Sequence, residues 1–354
     1  MNLRTRLLSI FTVCSLLTGC VFEGSKEEMG ETFVRLKLDV EVSNLPSSPK
    51  TKGYQDPETD NEKMNTLRII VVRESGIVEH NTYLNFTRPD LILKDMEYKV
   101  VGGEKKKIWL IANEGNSKMT YDFSGIRPGA EFPEKDVNEA CISMTGNNDE
   151  VTGWIPMTAC HEVDMPLKDY DTELFIVRAA TKFTYILTNN TSAPLHLSGL
   201  TISKGARKEY LFPRATFDKW SYTDPVDGSI VTEDVGKQII SDYEVPLVQN
   251  NEYYVFQKTL SVTADAGASV KIDPIFLLEG KYIDAASDGK NYSTSLTVNG
   301  IEYTDYLPEL PQLPRNTHAV VYVNFKQEGS SFRIFWTVTV RPYGEVILEP
   351  GFGQ

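Results

Sequence analysis

The sequence has few of the side chains that catalytic and metal sites usually need. It has four histidines, which are far apart and lack a second ligand at metal-binding spacing. It contains no G-x-S-x-G elbow, no Walker loop and no G-x-G-x-x-G turn. No pair of carboxylates stands out as a glycosidase pair. The sequence therefore predicts a protein that is not an enzyme and has no cofactor or metal.

Positive charge is also scarce. The chain has 36 Lys+Arg against 49 Asp+Glu, which gives a formal net charge of −13. Because binding to a phosphate backbone needs clustered cations, this balance argues against a nucleic-acid partner. The one strong basic run, Lys105-Lys106-Lys107, is predicted to be a solvated turn before a strand that begins at Ile108.

The sequence has no apolar run long enough to span a membrane. Its most apolar segment is a short run near the N terminus. Two arginines precede it, and it ends in Leu17-Thr18-Gly19-Cys20. The run is too short to span a bilayer, and its end has the form of a lipobox, with two small residues before a cysteine that receives diacylglycerol. We expect residues 1–19 to be removed, the Cys20 thiol to carry the lipid (palmitate), and residues 20–31 to form an acidic tether.

Cysteine is rare as well. With Cys20 lipidated, Cys141 and Cys160 remain as an even pair in an oxidising compartment. A disulfide between them would close a loop of about 20 residues and add roughly 3 kcal/mol. It would also require the two Cα atoms to lie close together, which the sequence cannot establish. The sequence is therefore equally compatible with a disulfide between Cys141 and Cys160 and with two unbridged thiols.

The clearest pattern that is present follows the tether. Five aliphatic residues alternate with charged residues, and they are Val34, Leu36, Leu38, Val40 and Val42. This period of two predicts a strand with one buried face. Residues 45–62 then lose all periodicity and collect proline, serine, glycine and acids. They are predicted to form an exposed loop that is open to proteases.

Similar short strands recur along the rest of the chain, and no long amphipathic helix competes with them. The predicted strands include residues 67–72, 108–112, 174–187, 195–202, 252–262, 270–278, 292–298, 319–325 and 332–340. Regular spacing of this kind predicts an all-β protein of antiparallel β-sandwiches. The length favours two domains, an N-terminal one at 32–170 and a C-terminal one at 171–354.

Several separated segments resemble the lipoprotein-derived fimbrillins, the type V pilins. Besides the lipobox at Cys20, they are Lys105–Asn113, Trp154-Ile155-Pro156-Met157, Arg178–Phe183, Tyr210-Leu211-Phe212-Pro213, Pro314–His318 and Val338–Gly344. Each segment alone is weak evidence for the family, but together the segments follow the family's order across nearly the whole mature chain. The resemblance implies two transthyretin-like antiparallel β-sandwich domains and a structural subunit of a surface pilus (fimbrium) that contributes to cell adhesion.

The resemblance also implies how such a subunit matures. It would be exported to the outer membrane as a lipoprotein, cut in the loop after its first strand, and completed by a strand from a neighbouring subunit. The basic residues for this cut are Lys50 and Lys52, with Gly53 as the next residue. Its partners would be other pilus subunits at the cell surface, and the membrane lipid through Cys20.

The end of the chain carries a second alternating segment. Val346, Leu348 and Phe352 lie on one side of it and form a candidate donor strand. An edge strand that completes the C-terminal sandwich is the alternative, because Pro350 removes a ladder donor. A membrane-anchor or tip subunit of the same pilus also remains open. So does a glycan-binding surface lipoprotein, for which Trp220 is the sugar-stacking candidate.

Overall fold

The structure is a computed structural model that describes residues 31–43, 59–146, 148–213, 215–223, 230–240, 254–281, 292–307, 312–313 and 315–342. Within these residues the protein is almost entirely β, with one short helix, α1 (Glu134–Glu139). The strands are β1 (Phe33–Val42), β2 (Met64–Arg73), β3 (Val78–Asp90), β4 (Ile92–Val101), β5 (Lys105–Ala112), β6 (Cys141–Ser143), β7 (Met157–Asp164), β8 (Tyr170–Arg178), β9 (Thr181–Asn190), β10 (Leu195–Gly205), β11 (Lys208–Tyr210), β12 (Ala215–Thr223), β13 (Ile230–Ile240), β14 (Tyr254–Ala264), β15 (Ser269–Leu277), β16 (Gly280–Lys281), β17 (Tyr292–Val298), β18 (Ile301–Leu307), β19 (Gln312–Leu313), β20 (Thr317–Glu328) and β21 (Ser331–Pro342).

The first sandwich is a seven-stranded sheet with the order β3-β2-β5-β7-β8-β1-β4, which folds over on itself. The fold lies between β7 and β8, where only Met157↔Arg178 and Thr158↔Val177 pair. The buried residues of β1, β4 and β8 therefore face those of β2, β5 and β7 in one apolar core. The alternating apolar residues supply this core, as the period of two predicts.

The second sandwich has two four-stranded sheets, β14-β10-β17-β18 and β15-β9-β20-β21. Their inner faces share a second core, which also takes in the outer face of β2 and β5 and the segment around α1. The aromatic rings of Phe183, Phe256 and Phe325 are fully buried there. The all-β, sandwich-like fold predicted from the strand pattern is thus confirmed.

The two sandwiches repeat one topology. In the first, β1 runs antiparallel to β4 and parallel to β8. In the second, β9 runs antiparallel to β15 and parallel to β20 in the same way. The facing sheets match as well, since the order β3-β2-β5-β7 corresponds to β14-β10-β17-β18. β21 has no counterpart in the first sandwich and is an added strand at the edge of β20.

The single strand predicted over 174–187 is wrong, because the chain bends between β8 and β9. The backbone at the bend forms hydrogen bonds outside these two strands. Ala179 donates its N–H to the Pro156 carbonyl, and the Ala180 carbonyl accepts from the N–H of Asn316. These bonds end the ladder of β8, which pairs with β1 from Tyr170 to Ile176 and with β7 at Val177 and Arg178. We therefore propose that the boundary between the domains follows Arg178, eight residues beyond the position predicted from the sequence.

The prediction that the basic run Lys105-Lys106-Lys107 forms a solvated turn is also wrong. Lys105 is the first residue of β5, so the three lysines lie inside a strand and not in a turn. Lys106 is fully buried, and its ammonium lies 2.6 Å from both Glu79 and Glu104. A buried lysine is tolerated only when it is paired in this way, and a pattern of like charges gives no sign of the partners.

Candidate functional site

The first strand lies in the interior of its sheet and not at an edge. On one side it pairs with β4, from Phe33↔Val101 to Glu41↔Ile92. On the other side it pairs in parallel with β8, from Leu36↔Tyr170 to Val42↔Ile176. Both backbone edges of β1 are therefore hydrogen bonded. We call the slot between β4 and β8, which β1 fills, the strand groove.

The apolar face of β1 forms a large share of the first core. Its five aliphatic side chains are at most 7% exposed, and they are Val34, Leu36, Leu38, Val40 and Val42. Burial of side chains of this size contributes roughly 1.5–3 kcal/mol each, so the strand gains about 8–15 kcal/mol as an upper bound. Without β1 the groove would expose this apolar surface together with two rows of backbone groups.

The charged face of β1 contacts acidic side chains of both neighbouring strands. The guanidinium of Arg35 lies 2.8 Å from Glu97 on β4 and 3.3 Å from Asp171 on β8. Lys37 lies 2.5 Å from Asp95, and this hydrogen bond lowers the pKa of the Asp95 carboxyl. These pairs are exposed to solvent, so they contribute little to stability.

The beginning of β1 is fixed by the backbone and by an ion pair. Gly102, just past the end of β4, donates its N–H to the Thr32 carbonyl at 2.8 Å. A Cβ at Gly102 would lie 2.7 Å from the Pro166 carbonyl oxygen, so this close approach requires glycine. Arg73 lies 2.6 Å from Glu31, which ties the chain that enters β1 to β2.

The end of β1 contacts the segment that leads into β20. Ser43 donates its N–H to the Ile176 carbonyl at 2.8 Å, and its own carbonyl accepts from the Asn316 Nδ2 at 2.8 Å. The Asn316 Oδ1 in turn accepts from the Arg178 Nη1 at 3.2 Å. Both Arg178 and Asn316 are fully buried. The first strand is thus joined to the second sandwich by a buried side-chain amide.

The described chain that resumes at residue 59 contacts the same place. The Glu62 carboxylate accepts from the Lys182 ammonium at 2.7 Å, and its main-chain carbonyl accepts from the Arg178 Nε at 2.9 Å. We call Glu62, Arg178, Lys182 and Asn316 the junction cluster. The described segments on either side of residues 44–58 are therefore both held on one buried polar cluster.

A second buried cluster lies nearby. The Arg315 Nε donates to Glu279 at 2.6 Å, and its Nη1 donates to the Leu211 carbonyl at 2.8 Å. Glu209 accepts the N–H of Glu279 at 2.6 Å. Burial is the largest influence on Glu209 and raises the pKa of its carboxyl well above the usual value, while Arg315 offsets only part of the effect.

Sequence reasoning missed both clusters, although segments that carried the family resemblance meet in them. Arg178 and Lys182 come from the 178–183 segment, and Arg315 and Asn316 come from the 314–318 segment. Leu211, from the 210–213 segment, accepts the bond from Arg315. The available signal was the presence of charged residues within apolar, strand-like segments, where they need buried partners.

Seven of the predicted functional residues lie outside the described residues. They are the lipidation site Cys20, the cleavage residues Lys50, Lys52 and Gly53, and the donor residues Val346, Leu348 and Phe352. By contrast, all five residues of the predicted displaced strand lie in β1. Trp220 lies in β12, which pairs with β13.

The remaining predicted residues lie elsewhere in the fold. Cys141 on β6 and Cys160 on β7 are not joined by a disulfide in this structure. Burial raises the pKa of Cys160 to about 12, so its thiol is protonated and unreactive at neutral pH. Trp109 is buried, with its ring 4.7 Å from that of Phe212 and 5.0 Å from that of Phe132. It is a core residue, as its apolar context predicts.

The described part of the chain has neither a metal-binding cluster nor a membrane-spanning helix. No group of three or more His, Cys, Asp or Glu residues there could hold a metal ion. No helix in those ranges has both the length and the apolar character needed to cross a membrane.

Solved structures of other proteins have a similar fold. A "putative cell adhesion protein" from Parabacteroides distasonis is 12% identical, covers 90% of this chain and 99% of its own, and superposes with a TM-score of 0.52. A fimbrilin from Porphyromonas gingivalis is 10% identical, covers 88% of this chain and 98% of its own, and gives a TM-score of 0.50. No family model and no curated protein matches the sequence. The chain therefore shares its fold with this fimbrilin and this adhesion protein.

Proposed function

We propose that the protein is a non-enzymatic structural subunit of a surface pilus that contributes to cell adhesion. In this proposal it reaches the outer membrane as a lipoprotein through Cys20. A protease then cuts the loop after Lys50 or after Lys52, the second of these being the bond before Gly53. The first strand is then replaced by a strand from another subunit. The shared fold with a fimbrilin supports a pilus role.

The observation that carries the proposal is the position of β1. It is the strand nearest the N terminus among the described residues, yet it lies between two other strands and buries five aliphatic side chains. A protein that keeps such a strand has no need of a long polar loop directly after it. Strand exchange requires both a central first strand and a loop directly after it, because one cut in the loop separates the strand from the rest of the chain.

An emptied strand groove would bind another strand strongly. It would present the backbone edges of β4 and β8 and the apolar surface that β1 now covers. An extended segment with alternating apolar residues satisfies both, by the same β-augmentation that other proteins use to bind peptides. We propose Val346, Leu348 and Phe352 of another copy as the apolar residues that enter the groove. Head-to-tail insertion does not close on itself, so it builds filaments.

The N-terminal residue of the protein recovered from cells tests the proposal. A chain in purified pili that starts close to Gly53 is the expected result for a polymerised subunit. A chain that starts at lipidated Cys20 at the base of the pili would indicate the anchor subunit. Recovery of the protein only as a full-length lipoprotein, never in pili, would contradict the proposal and favour a surface lipoprotein.

The lipid anchor is tested separately by Cys20→Ala. Because diacylglycerol is attached only to a lipobox cysteine, the variant should be lost from the outer-membrane fraction. Cys141→Ala is the matched control, since it removes another cysteine and leaves the lipobox intact. A Cys20→Ala protein that still cofractionates fully with the outer membrane would contradict the export route.

A further inference from the structure

We infer that Asn316 fixes the register of whichever strand occupies the strand groove, by binding the main-chain carbonyl at the position of Ser43. Asn316 would thus be a specificity-determining residue that selects strands by length and register and not by side chain. This inference rests on the strand-exchange function proposed above.

The apolar face of the groove is poor at distinguishing one register from another. A slip of one residue would turn the charged face of the strand inward, so alternation alone excludes it. A slip of two residues keeps the alternation and, at four of the five inward positions, replaces one aliphatic side chain by another. All five inward positions of β1 carry valine or leucine, which differ little in size. A contact at a fixed point of the backbone is therefore needed to exclude a slip of two.

Asn316 provides such a contact. Its Nδ2 lies 2.8 Å from the carbonyl oxygen of Ser43, one residue past the end of β1. Because the acceptor is a main-chain oxygen, any incoming residue can supply it. Since Asn316 is fully buried, this hydrogen bond is screened from water, and its loss costs more than the loss of the same bond at the surface.

The amide is also held in place before the strand arrives. Its Oδ1 accepts from the Arg178 Nη1 at 3.2 Å, which sets which end of the amide faces the groove. The backbone at Asn316 has φ +55°, a left-handed conformation that asparagine adopts more readily than most residues. Its N–H donates to the Ala180 carbonyl at 2.9 Å. None of these bonds involves β1, so they persist when the first strand leaves.

The other end of the groove makes a weaker contact of the same kind. The Asp169 carboxylate accepts the main-chain N–H of Arg35 at 2.9 Å. This bond lowers the pKa of the Asp169 carboxyl, but the side chain is 62% exposed. Water can replace a hydrogen bond at such a site at little cost. The buried contact at Ser43 is therefore the one that discriminates between registers.

The test compares two labelled peptides that bind the full-length protein after trypsin has cut the loop and has been inhibited. One peptide contains residues 31–44 and the other residues 31–42, each with a C-terminal carboxamide. The carboxamide of the shorter peptide still supplies the N–H for Ile176, but it lacks the carbonyl of residue 43. Dissociation is followed by fluorescence anisotropy.

We expect the longer peptide to dissociate about tenfold more slowly from the parent protein, as the loss of one buried hydrogen bond predicts. Asn316→Gly keeps the left-handed backbone and removes the amide, so this ratio should fall towards one. Asn113→Gly is the matched control. Asn113 is also left-handed and buried, but its amide donates to Ile155 and Lys63 and does not contact β1.

Each outcome bears on the inference. Equal dissociation of the two peptides from the parent, or an unchanged ratio in Asn316→Gly, would overturn the role of Asn316 while strand exchange still stands. Failure of both peptides to enter the groove after the cut N-terminal fragment has been displaced would overturn strand exchange itself, and the inference with it. Asn316→Asp serves if the glycine variant does not fold, because Arg178 can pair with the new carboxylate. It should favour the shorter peptide, since a carboxylate repels the carbonyl.

Discussion

The most direct test of the strand groove is a single truncation in β1. Leu36 is fully buried and lies opposite Tyr98 on β4 and Tyr170 on β8. Leu36→Ala removes buried methyl groups and leaves a cavity, a change that typically costs 2–5 kcal/mol, so we expect a loss of about that size. In the intact chain this loss should appear in the free energy of unfolding, measured by urea denaturation.

The same loss should appear differently once the loop is cut. The fragment that contains β1 is then held only by noncovalent contacts. The free energy lost in Leu36→Ala should therefore weaken the binding of this fragment to the rest of the protein. A loss of 2–5 kcal/mol corresponds to roughly 30-fold to several thousand-fold weaker binding. Size-exclusion chromatography with intact-mass analysis measures the fraction of the fragment that remains bound over time.

Lys37→Ala is the matched control for this experiment. It truncates the adjacent residue, whose side chain faces solvent and pairs with exposed Asp95. It should leave both the unfolding free energy and the retention of the fragment nearly unchanged. If the fragments of Leu36→Ala and Lys37→Ala stay bound equally well, burial of the apolar face does not hold the first strand.

Three further predictions follow from the sequence and the structure. Mild trypsin digestion should cut between Lys50 and Gly53 before it cuts either sandwich, and intact masses that show early cuts elsewhere would contradict the loop assignment. Changing both Val346 and Leu348 to Asp should keep the cut protein monomeric under conditions where the parent polymerises, because two charges would enter an apolar groove; normal polymers would exclude this donor. Because burial raises the folded-state pKa of Glu209 above the unfolded value, the folded state binds more protons at this group, and the contribution of Glu209 to the free energy of unfolding should fall as pH rises above about 4.3. Glu209→Gln should flatten this profile in urea denaturation at a series of pH values, and an unchanged slope would refute the assignment.

Many of the strands were predictable because their signals are local. The alternation at residues 34–42 is complete, and β17 matches the prediction for 292–298 residue for residue. Side-chain alternation and turn residues act over a few positions, so they can be read from the sequence. The fold class follows from the number and spacing of such strands.

Pairings between distant residues were not predictable in the same way. Leu36 pairs with Tyr170 across more than one hundred residues, and nothing in either segment specifies the other. The same is true of Lys106, whose burial depends on Glu79 and Glu104, and of Asn316, whose acceptor is Ser43. The sequence likewise does not show that β8 pairs with β1, which is the observation behind the domain boundary proposed after Arg178.

The central position of β1 also has a mechanical consequence. A strand at the edge of a sheet can be peeled away by breaking one hydrogen bond at a time. A strand between two neighbours that is pulled along its own axis loads both of its ladders in shear, so many bonds must break together. Its neighbours β4 and β8 belong to the same sheet only through it. If a donated strand takes the same slot, each joint of the filament would resist tension along the filament axis far better than a joint made at a sheet edge.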